Sequence, residues 1–239
     1  KNYNNTMWGI TYKPEQEFLP FLHKLRVVVT DYHFLSKLKK PREKEIMFQV
    51  VALQPFDKPL GDNYCWTPIR GDFEITEGKL IAKPGNHKQA RIGYSRFRGF
   101  SFSKWVNLRM VVYPVFSENE RAVNLIVFFG KNYKLTIGDG NNKIVTLRRF
   151  DSEELVDSGW LDGGLRNRQG HHIICNVFFD EKERSQKFFV SVDKYDTITL
   201  SDPDPISFEG HLGLGVWKGT DAVEITQVNI WVEQLLMEE

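Results

Sequence analysis

Alternation of apolar and polar residues dominates the chain after residue 70. Short segments in which every second residue is apolar recur at short intervals, separated by residues that favour turns. Because successive side chains of a strand point to opposite faces, this period of two predicts half-buried strands. Many short strands with frequent turns predict an all-β fold, here an antiparallel sandwich of two packed sheets.

The strands predicted by this pattern run from residue 72 to residue 232. In chain order they cover 72–75, 79–82, 89–94, 100–114, 122–129, 133–137, 144–149, 171–179, 187–192, 197–200, 211–217 and 222–232. The segment 138–142, with the sequence GDGNN, predicts a turn because Gly and Asn accept positive φ at little cost.

The first seventy residues differ from the rest of the chain. Two strands are predicted over 25–32 and 46–53, and a basic connection that includes Lys39, Lys40 and Arg42 joins them. We therefore expect an N-terminal β-hairpin extension in residues 1–70, packed on a jelly-roll domain in residues 71–239.

The alternation also assigns faces to the strands. In the strand predicted over 100–114, Leu108 and Met110 belong to an apolar side, whereas Asn107 and Arg109 lie on the other. A sheet in a sandwich buries one face, so the apolar side is predicted to be core. If the strands over 100–114, 122–129, 133–137 and 171–179 share a sheet, their other sides form one surface. Its members would be Trp105, Asn107, Arg109, Tyr113, Asn124, Lys134, Thr136, His172 and Asn176.

Two uses of this surface are open. Aromatic rings cover the apolar face of a sugar while amide and guanidinium groups reach its hydroxyls, which favours a glycan site. Alternatively, the N-terminal extension or another protein subunit covers the surface. The residues predicted to bind a glycan or a partner are Trp105, Asn107, Arg109, Tyr113, Asn124 and His172.

Composition narrows the classes of partner. The chain has 239 residues, 41% of them hydrophobic, which indicates a folded protein with a sizeable core. It has 32 basic and 31 acidic residues and a formal net charge of +1, so no general field attracts a nucleic acid. No apolar run approaches the roughly 20 residues of a membrane helix, so we expect no membrane span.

Residues 71–233 resemble the concanavalin-like lectin and glucanase superfamily, especially its laminin-G-like and 3-keto-disaccharide-hydrolase-like branch. The matching segments are GDFEI at 71–75, EGKL at 77–80, NYKLTIGD at 132–139, EGHLGLGVW at 209–217, VEI at 223–225 and VNI at 228–230. The resemblance implies a jelly roll, and it speaks to architecture more than to activity.

Catalytic chemistry is not predicted. Glycan-cleaving members of the superfamily place two or three carboxylates along one strand, as in Glu-x-Asp-x-x-Glu, and this chain has no such run. Glu224 is the one strand carboxylate expected to point into a cleft, and hydrolysis needs a pair. Neighbouring strand residues point apart, so His171 and His172 do not form a joint site. A hydrolase of the same superfamily stays an alternative.

Two further kinds of chemistry, a disulfide and a structural metal, are open in addition to the predicted surface. Cys175 alternates with apolar residues and is expected to be a buried free thiol, with a disulfide to Cys65 as the alternative. No cofactor is expected, although hard oxygen ligands in two loops leave structural calcium open. The calcium candidates are Asp139, Asn141, Asn142, Asp202 and Asp204.

The sequence thus predicts a non-catalytic interaction module that binds a glycan or other protein subunits. We expect it outside the cytoplasm, in the periplasm or at the surface of a bacterium, since a start at Lys1 suits removal of a secretory signal. A chain whose N-terminus had been shortened for another reason would also begin at a residue other than Met. The alternative from another class is a structural coat subunit, for instance of a periplasmic flagellar sheath.

Overall fold

The chain folds almost entirely into strands in the computed structural model, which describes residues 22–29, 42–49, 52–54, 56, 59–61, 66–94, 101–102, 106–117, 123–166, 169–194, 196–209, 212–217 and 222–234. Its strands are β1 (Leu22–Val29), β2 (Arg42–Gln49), β3 (Ala52–Gln54), β4 (Trp66–Arg70), β5 (Asp72–Thr76), β6 (Lys79–Lys83), β7 (Gln89–Tyr94), β8 (Ser101–Phe102), β9 (Val106–Phe116), β10 (Leu125–Phe129), β11 (Tyr133–Gly138), β12 (Ile144–Arg149), β13 (Leu155–Trp160), β14 (Ile173–Asp180), β15 (Ser185–Val192), β16 (Asp196–Asp202), β17 (Phe208–Glu209), β18 (Leu212–Trp217) and β19 (Val223–Gln234). A short helical turn, Asp139–Lys143, joins β11 to β12. No helix within these ranges has the length and apolar character needed to cross a membrane.

Two antiparallel sheets form the sandwich. The first has the order β13-β12-β11-β10-β18-β7-β4 and is called the seven-stranded sheet. The second has the order β16-β15-β14-β9-β19-β6-β5, with β3 also paired to β19, and is called the eight-stranded sheet. The predicted all-β, two-sheet antiparallel architecture is confirmed.

The core lies between the sheets, on the faces that the alternation assigned to it. Leu108, Met110 and Val112 of β9 are each at most 2% exposed. Burial of such side chains contributes roughly 1.5–3 kcal/mol each. Cys175 of β14 is a free thiol in the same core, and burial raises its pKa to about 12. Cys65 lies outside the described residues.

The N-terminal strands make different kinds of contact. β1 and β2 form a two-stranded antiparallel hairpin, and both approach β19 of the eight-stranded sheet. The strand predicted over 46–53 overlaps β2, which ends at Gln49, and β3, which begins at Ala52. β3 and β4 pair directly with β19 and β7. The division into an extension and a jelly-roll domain stays a prediction.

Two strands of the seven-stranded sheet were absent from the sequence prediction. β4 and β13 are its outermost strands, so each pairs with one neighbour in that sheet. β13 leaves Leu155 and Trp160 48% and 64% exposed, and β4 contains Pro68. Outer strands bury little and tolerate Pro, which removes the alternation by which a strand is predicted.

Candidate functional site

Four of the predicted site residues share the outer face of the eight-stranded sheet. Asn107, Arg109 and Tyr113 lie on β9, and His172 precedes β14, which is the neighbour of β9. The guanidinium of Arg109 lies 5.3 Å from the ring centre of Trp231 on β19. Trp105 lies outside the described residues.

Asn124 does not belong to that surface, and this prediction is wrong. It precedes β10 of the seven-stranded sheet, is 5% exposed, and its Oδ1 accepts a hydrogen bond of 2.8 Å from the Trp217 backbone N–H. Lys134 and Thr136 lie on β11 of the same sheet and are also buried. Alternation shows which residues of a strand share a face, but it does not show which sheet contains the strand.

One line of side chains crosses the outer face of the eight-stranded sheet near one end. Extended by one residue past the paired positions, the strand registers place His172 between Tyr113 and Asp193, and the bulge residue Thr226 between Tyr113 and Lys79. Lys79 in turn pairs with Thr76 at the edge of the sheet. We call this line the cross-strand row; its members are Asp193, His172, Tyr113, Thr226, Lys79 and Thr76.

An aromatic pair forms the middle of the cross-strand row. The rings of Tyr113 and His172 have centres 4.9 Å apart at an interplanar angle of 34°. Burial lowers the pKa of His172 from 6.5, and the charges of Lys194 and Arg109 act in the same direction against Asp193. The imidazole is therefore neutral at pH 7, and its buried Nδ1 has no hydrogen-bond partner within the part of the chain that the structure describes.

A cavity of about 340 Å³ lies at the Asp193 end of the cross-strand row. We call it the edge pocket; it is lined by Asp162, Gly163, Gly164, Arg166, Gln169, Val192, Asp193 and Asp196. Its volume is within the range of small-ligand sites, about 300–1,000 Å³.

Two carboxylates in the edge pocket are fixed by the protein itself. Asp196 accepts hydrogen bonds of 2.8 Å from three successive backbone N–H groups, those of residues 162–164. Asp193 accepts from the His172 backbone N–H and from Nδ1 of His171, both at 2.8 Å. A carboxylate has about four acceptor positions, so both groups keep capacity for a ligand in the cavity that they line.

His171 has a structural role beside the edge pocket. Its Nε2 lies 2.9 Å from the Arg166 backbone nitrogen and 3.0 Å from the Arg166 carbonyl oxygen, and its Nδ1 lies 2.8 Å from Asp193 Oδ2. His171 is only 3% exposed. Both ring nitrogens are occupied by protein atoms, so this imidazole orients Asp193.

A second cavity, of about 360 Å³, lies at the Lys79 end of the cross-strand row. We call it the charged cleft; it is lined by Glu74, Thr76, Glu77, Lys79, Ile81, Lys83, Val115, Phe116, Ser117, Ala222 and Glu224. Lys79 is 3.0 Å from Glu224, and Lys83 is 3.0 Å from Glu74. The hydrogen bond and charge of Glu224 raise the pKa of Lys79.

Glu224 points into a cleft as predicted, but it is not the only strand carboxylate there. Glu74 and Glu224 both pair with Ile81, from opposite sides, so their backbones lie two strand spacings or about 9.6 Å apart. The cleft on this outer face therefore holds two strand carboxylates, where Glu224 alone was expected. Glu74 was recognised as a strand residue, but the sequence did not show that β5 and β19 both flank β6.

The calcium prediction fails at Asp202. This residue is 1% exposed and is bound by Tyr133 and Arg149, whose guanidinium Nη1 is 2.8 Å from Asp202 Oδ2. The carboxylate is therefore committed to the protein, and the neighbouring Asp204 donates its backbone N–H to it at 3.0 Å. Calcium at Asp139 and Asn141 stays a prediction; both side chains are exposed on the turn after β11.

Comparison with solved structures supports the architecture alone. The sequence matches no family model and no curated protein. The structure is similar to the carbohydrate-binding module CBM66 from Bacillus subtilis, with 15% identity, 71% of this chain and 94% of that chain covered, and a TM-score of 0.50.

Two plant lectins give similar values. Lectin II from Ulex europaeus is 10% identical over 77% of this chain and 98% of its own, with a TM-score of 0.51. The lectin from Bauhinia forficata in complex with GalNAc is 10% identical over the same shares, with a TM-score of 0.53. The chain therefore has the concanavalin A-like jelly-roll fold, as the sequence resemblance implied.

Proposed function

We propose that the protein is a non-catalytic module that binds a neutral glycan in the edge pocket and along the adjoining Tyr113 and His172 rings. The observation that carries this proposal is the pair of fixed carboxylates, Asp193 and Asp196, in one cavity, where Asp193 also accepts from the backbone N–H of His172 in the aromatic pair. Carbohydrate-binding structural neighbours are consistent with it.

The geometry suits recognition of sugar hydroxyls. Asp193 and Asp196 are held by backbone and imidazole donors, so their ordering costs little when a ligand binds. Arg166 and Gln169 line the same cavity with exposed side chains that have no hydrogen bond or ion pair to other described residues. Hydroxyl groups would donate to the carboxylates and accept from these two side chains.

The absence of catalysis is part of the proposal, and the pairing of the cleft carboxylates supports it. A glycosidase needs two carboxyl groups that both face the scissile bond. Glu74 and Glu224 each form an ion pair with a Lys ammonium at 3.0 Å. Each carboxylate would have to leave its ion pair to act on a substrate.

The test is a glycan array followed by calorimetry on Arg166→Gln and Gln169→Ala. We expect the native protein to bind a neutral glycan class, and each substitution to weaken binding about ten- to a hundredfold, as loss of a ligand hydrogen bond does. Both side chains are exposed, so the fold is kept. Arg184→Gln, in an exposed turn after β14, is the matched control and should bind normally.

The proposal is overturned if no glycan on the array binds, or if Arg166→Gln and Arg184→Gln have equal affinity. A glycan ligand also leads us to propose a location outside the cytoplasm, which fractionation of the source cells would check. The coat-subunit role stays an alternative; it would use the exposed Leu155 and Trp160 of β13, and loss of self-association in Trp160→Ser would support it.

A further inference from the structure

The edge pocket and the charged cleft lie at opposite ends of the cross-strand row. Each cavity is lined by a member of that row. Asp193, at the pocket end, follows β15, and Lys79, at the cleft end, lies on β6. The sheet order between them is β15-β14-β9-β19-β6, which is four strand spacings or about 19 Å.

The side chains between the two cavities offer a suitable path. Tyr113 and His172 supply a half-buried aromatic surface next to the edge pocket. Thr226 follows in a bulge of β19, where it is exposed and its hydroxyl donates to the Tyr113 carbonyl at 3.2 Å. A bulge bends its strand and re-aims side chains, and here it presents a hydroxyl between the aromatic pair and Lys79.

The charged cleft itself has the composition of a sugar site. Ile81 and Val115 provide an apolar floor, and both have half-buried side chains. The Lys79–Glu224 and Lys83–Glu74 pairs supply ammonium donors and carboxylate acceptors around that floor. An apolar surface surrounded by a few converging polar groups is the usual form of a small-molecule site.

We propose that the charged cleft is a second subsite for the same glycan, so that the protein binds an extended chain laid across the strands from the edge pocket to the cleft. The inference rests on the proposed function and adds chain length and direction to it. A short fragment fills the edge pocket alone, whereas a chain that spans about 19 Å engages both cavities. Two linked contacts raise affinity beyond that of either one.

The experiment is calorimetry with cello-, laminari-, manno- and N-acetylchito-oligosaccharides of two to eight sugar residues. For the series that binds, we expect affinity to rise at least about tenfold between the shortest and the longest chains. The double variant Lys79→Met/Glu224→Gln removes both charges of an exposed pair and leaves no unpaired charge behind. This variant should abolish the rise in affinity with chain length and keep the affinity for the disaccharide.

The control is Lys187→Met/Glu183→Gln, which removes another Lys–Glu ion pair, formed by β15 and the turn before it, six residues before Asp193 and away from the cross-strand row. It should keep the full dependence on chain length. Equal affinity for short and long chains, or an increment that survives Lys79→Met/Glu224→Gln, would overturn the second subsite while leaving glycan binding intact. Failure of every oligosaccharide here and of every glycan on the array would instead overturn the proposed function and the subsite with it.

Discussion

At the scale of single residues, one buried polar cluster joins the two sheets. Tyr133 of β11 donates to Asp202 of β16 at 2.5 Å, and Arg149 of β12 forms an ion pair with the same carboxylate at 2.8 Å. The ring of Tyr133 also lies under the Arg149 guanidinium, 4.9 Å from its carbon. The alternation predicted Tyr133 as a strand residue, but it could not predict its partner, because Asp202 was assigned to a connection 69 positions away.

Replacement of Asp202 by Asn should be strongly destabilising. The Arg149 side chain, 18% exposed, would keep its charge without the carboxylate that balances it. Breaking a buried ion pair in this way costs about 3–5 kcal/mol, whereas Glu74→Gln at an exposed pair should cost about 0–1 kcal/mol. Urea unfolding of both variants measures the difference. A loss at Asp202→Asn no larger than that at Glu74→Gln would show that the buried pair does not hold the sheets together.

At the scale of elements, the turn between β11 and β12 depends on its first glycine. Gly138 has φ of 90°, and a Cβ there would lie 2.4 Å from the Val123 carbonyl oxygen. Gly78, in the turn between β5 and β6, has φ of 72° with nothing within 4 Å of a Cβ. The two positions have the same backbone requirement and differ in the space around them.

We therefore expect Gly78→Ala and Gly138→Ala to distinguish the free-energy cost of backbone strain from that of steric crowding. A left-handed backbone costs a non-glycine residue about 1–2 kcal/mol, which is all that Gly78→Ala should lose. Gly138→Ala should lose about 1–3 kcal/mol more, since the nearest atom belongs to the backbone. Thermal and urea denaturation give both values. Equal losses would mean that the Val123 segment moves aside at no cost.

Strands that carry several buried apolar side chains were predictable. The segments over β7 and β12 were predicted with the bounds that the structure gives them. The order of strands in the sheets was not predictable, because pairing depends on contacts between distant residues. Tyr113 and His172 were placed on one surface correctly. Asn124 was added to that surface wrongly because the sheet of its strand could not be predicted. The edge pocket was missed because it is built mainly from loops.

At the scale of the whole molecule, charge is distributed unevenly. The chain has a formal net charge of +1, yet six carboxylates and three basic side chains line the edge pocket and the charged cleft. Some of these carboxylates are compensated, as in the Lys79–Glu224 pair, but Glu77 has no hydrogen bond or ion pair to any described residue. A local excess of one sign repels ligands of that sign even when the whole protein carries the other.

The protein should therefore discriminate against anionic polysaccharides. At 0.1 M salt we expect an alginate oligosaccharide to bind at least about tenfold more weakly than the neutral oligosaccharide of equal length that binds best. At 1 M salt the gap should narrow, because the screening length falls from about 10 Å to about 3 Å. Calorimetry at the two salt concentrations measures this difference in affinity between the neutral and the anionic chain. Glu77→Gln should reduce the difference at 0.1 M salt. Glu181→Gln, in an exposed turn after β14, should leave it unchanged. Alginate binding as tight as that of the neutral chain at 0.1 M would show that the carboxylates of the two cavities are neutralised when the glycan binds, and that hydroxyl geometry alone selects the ligand.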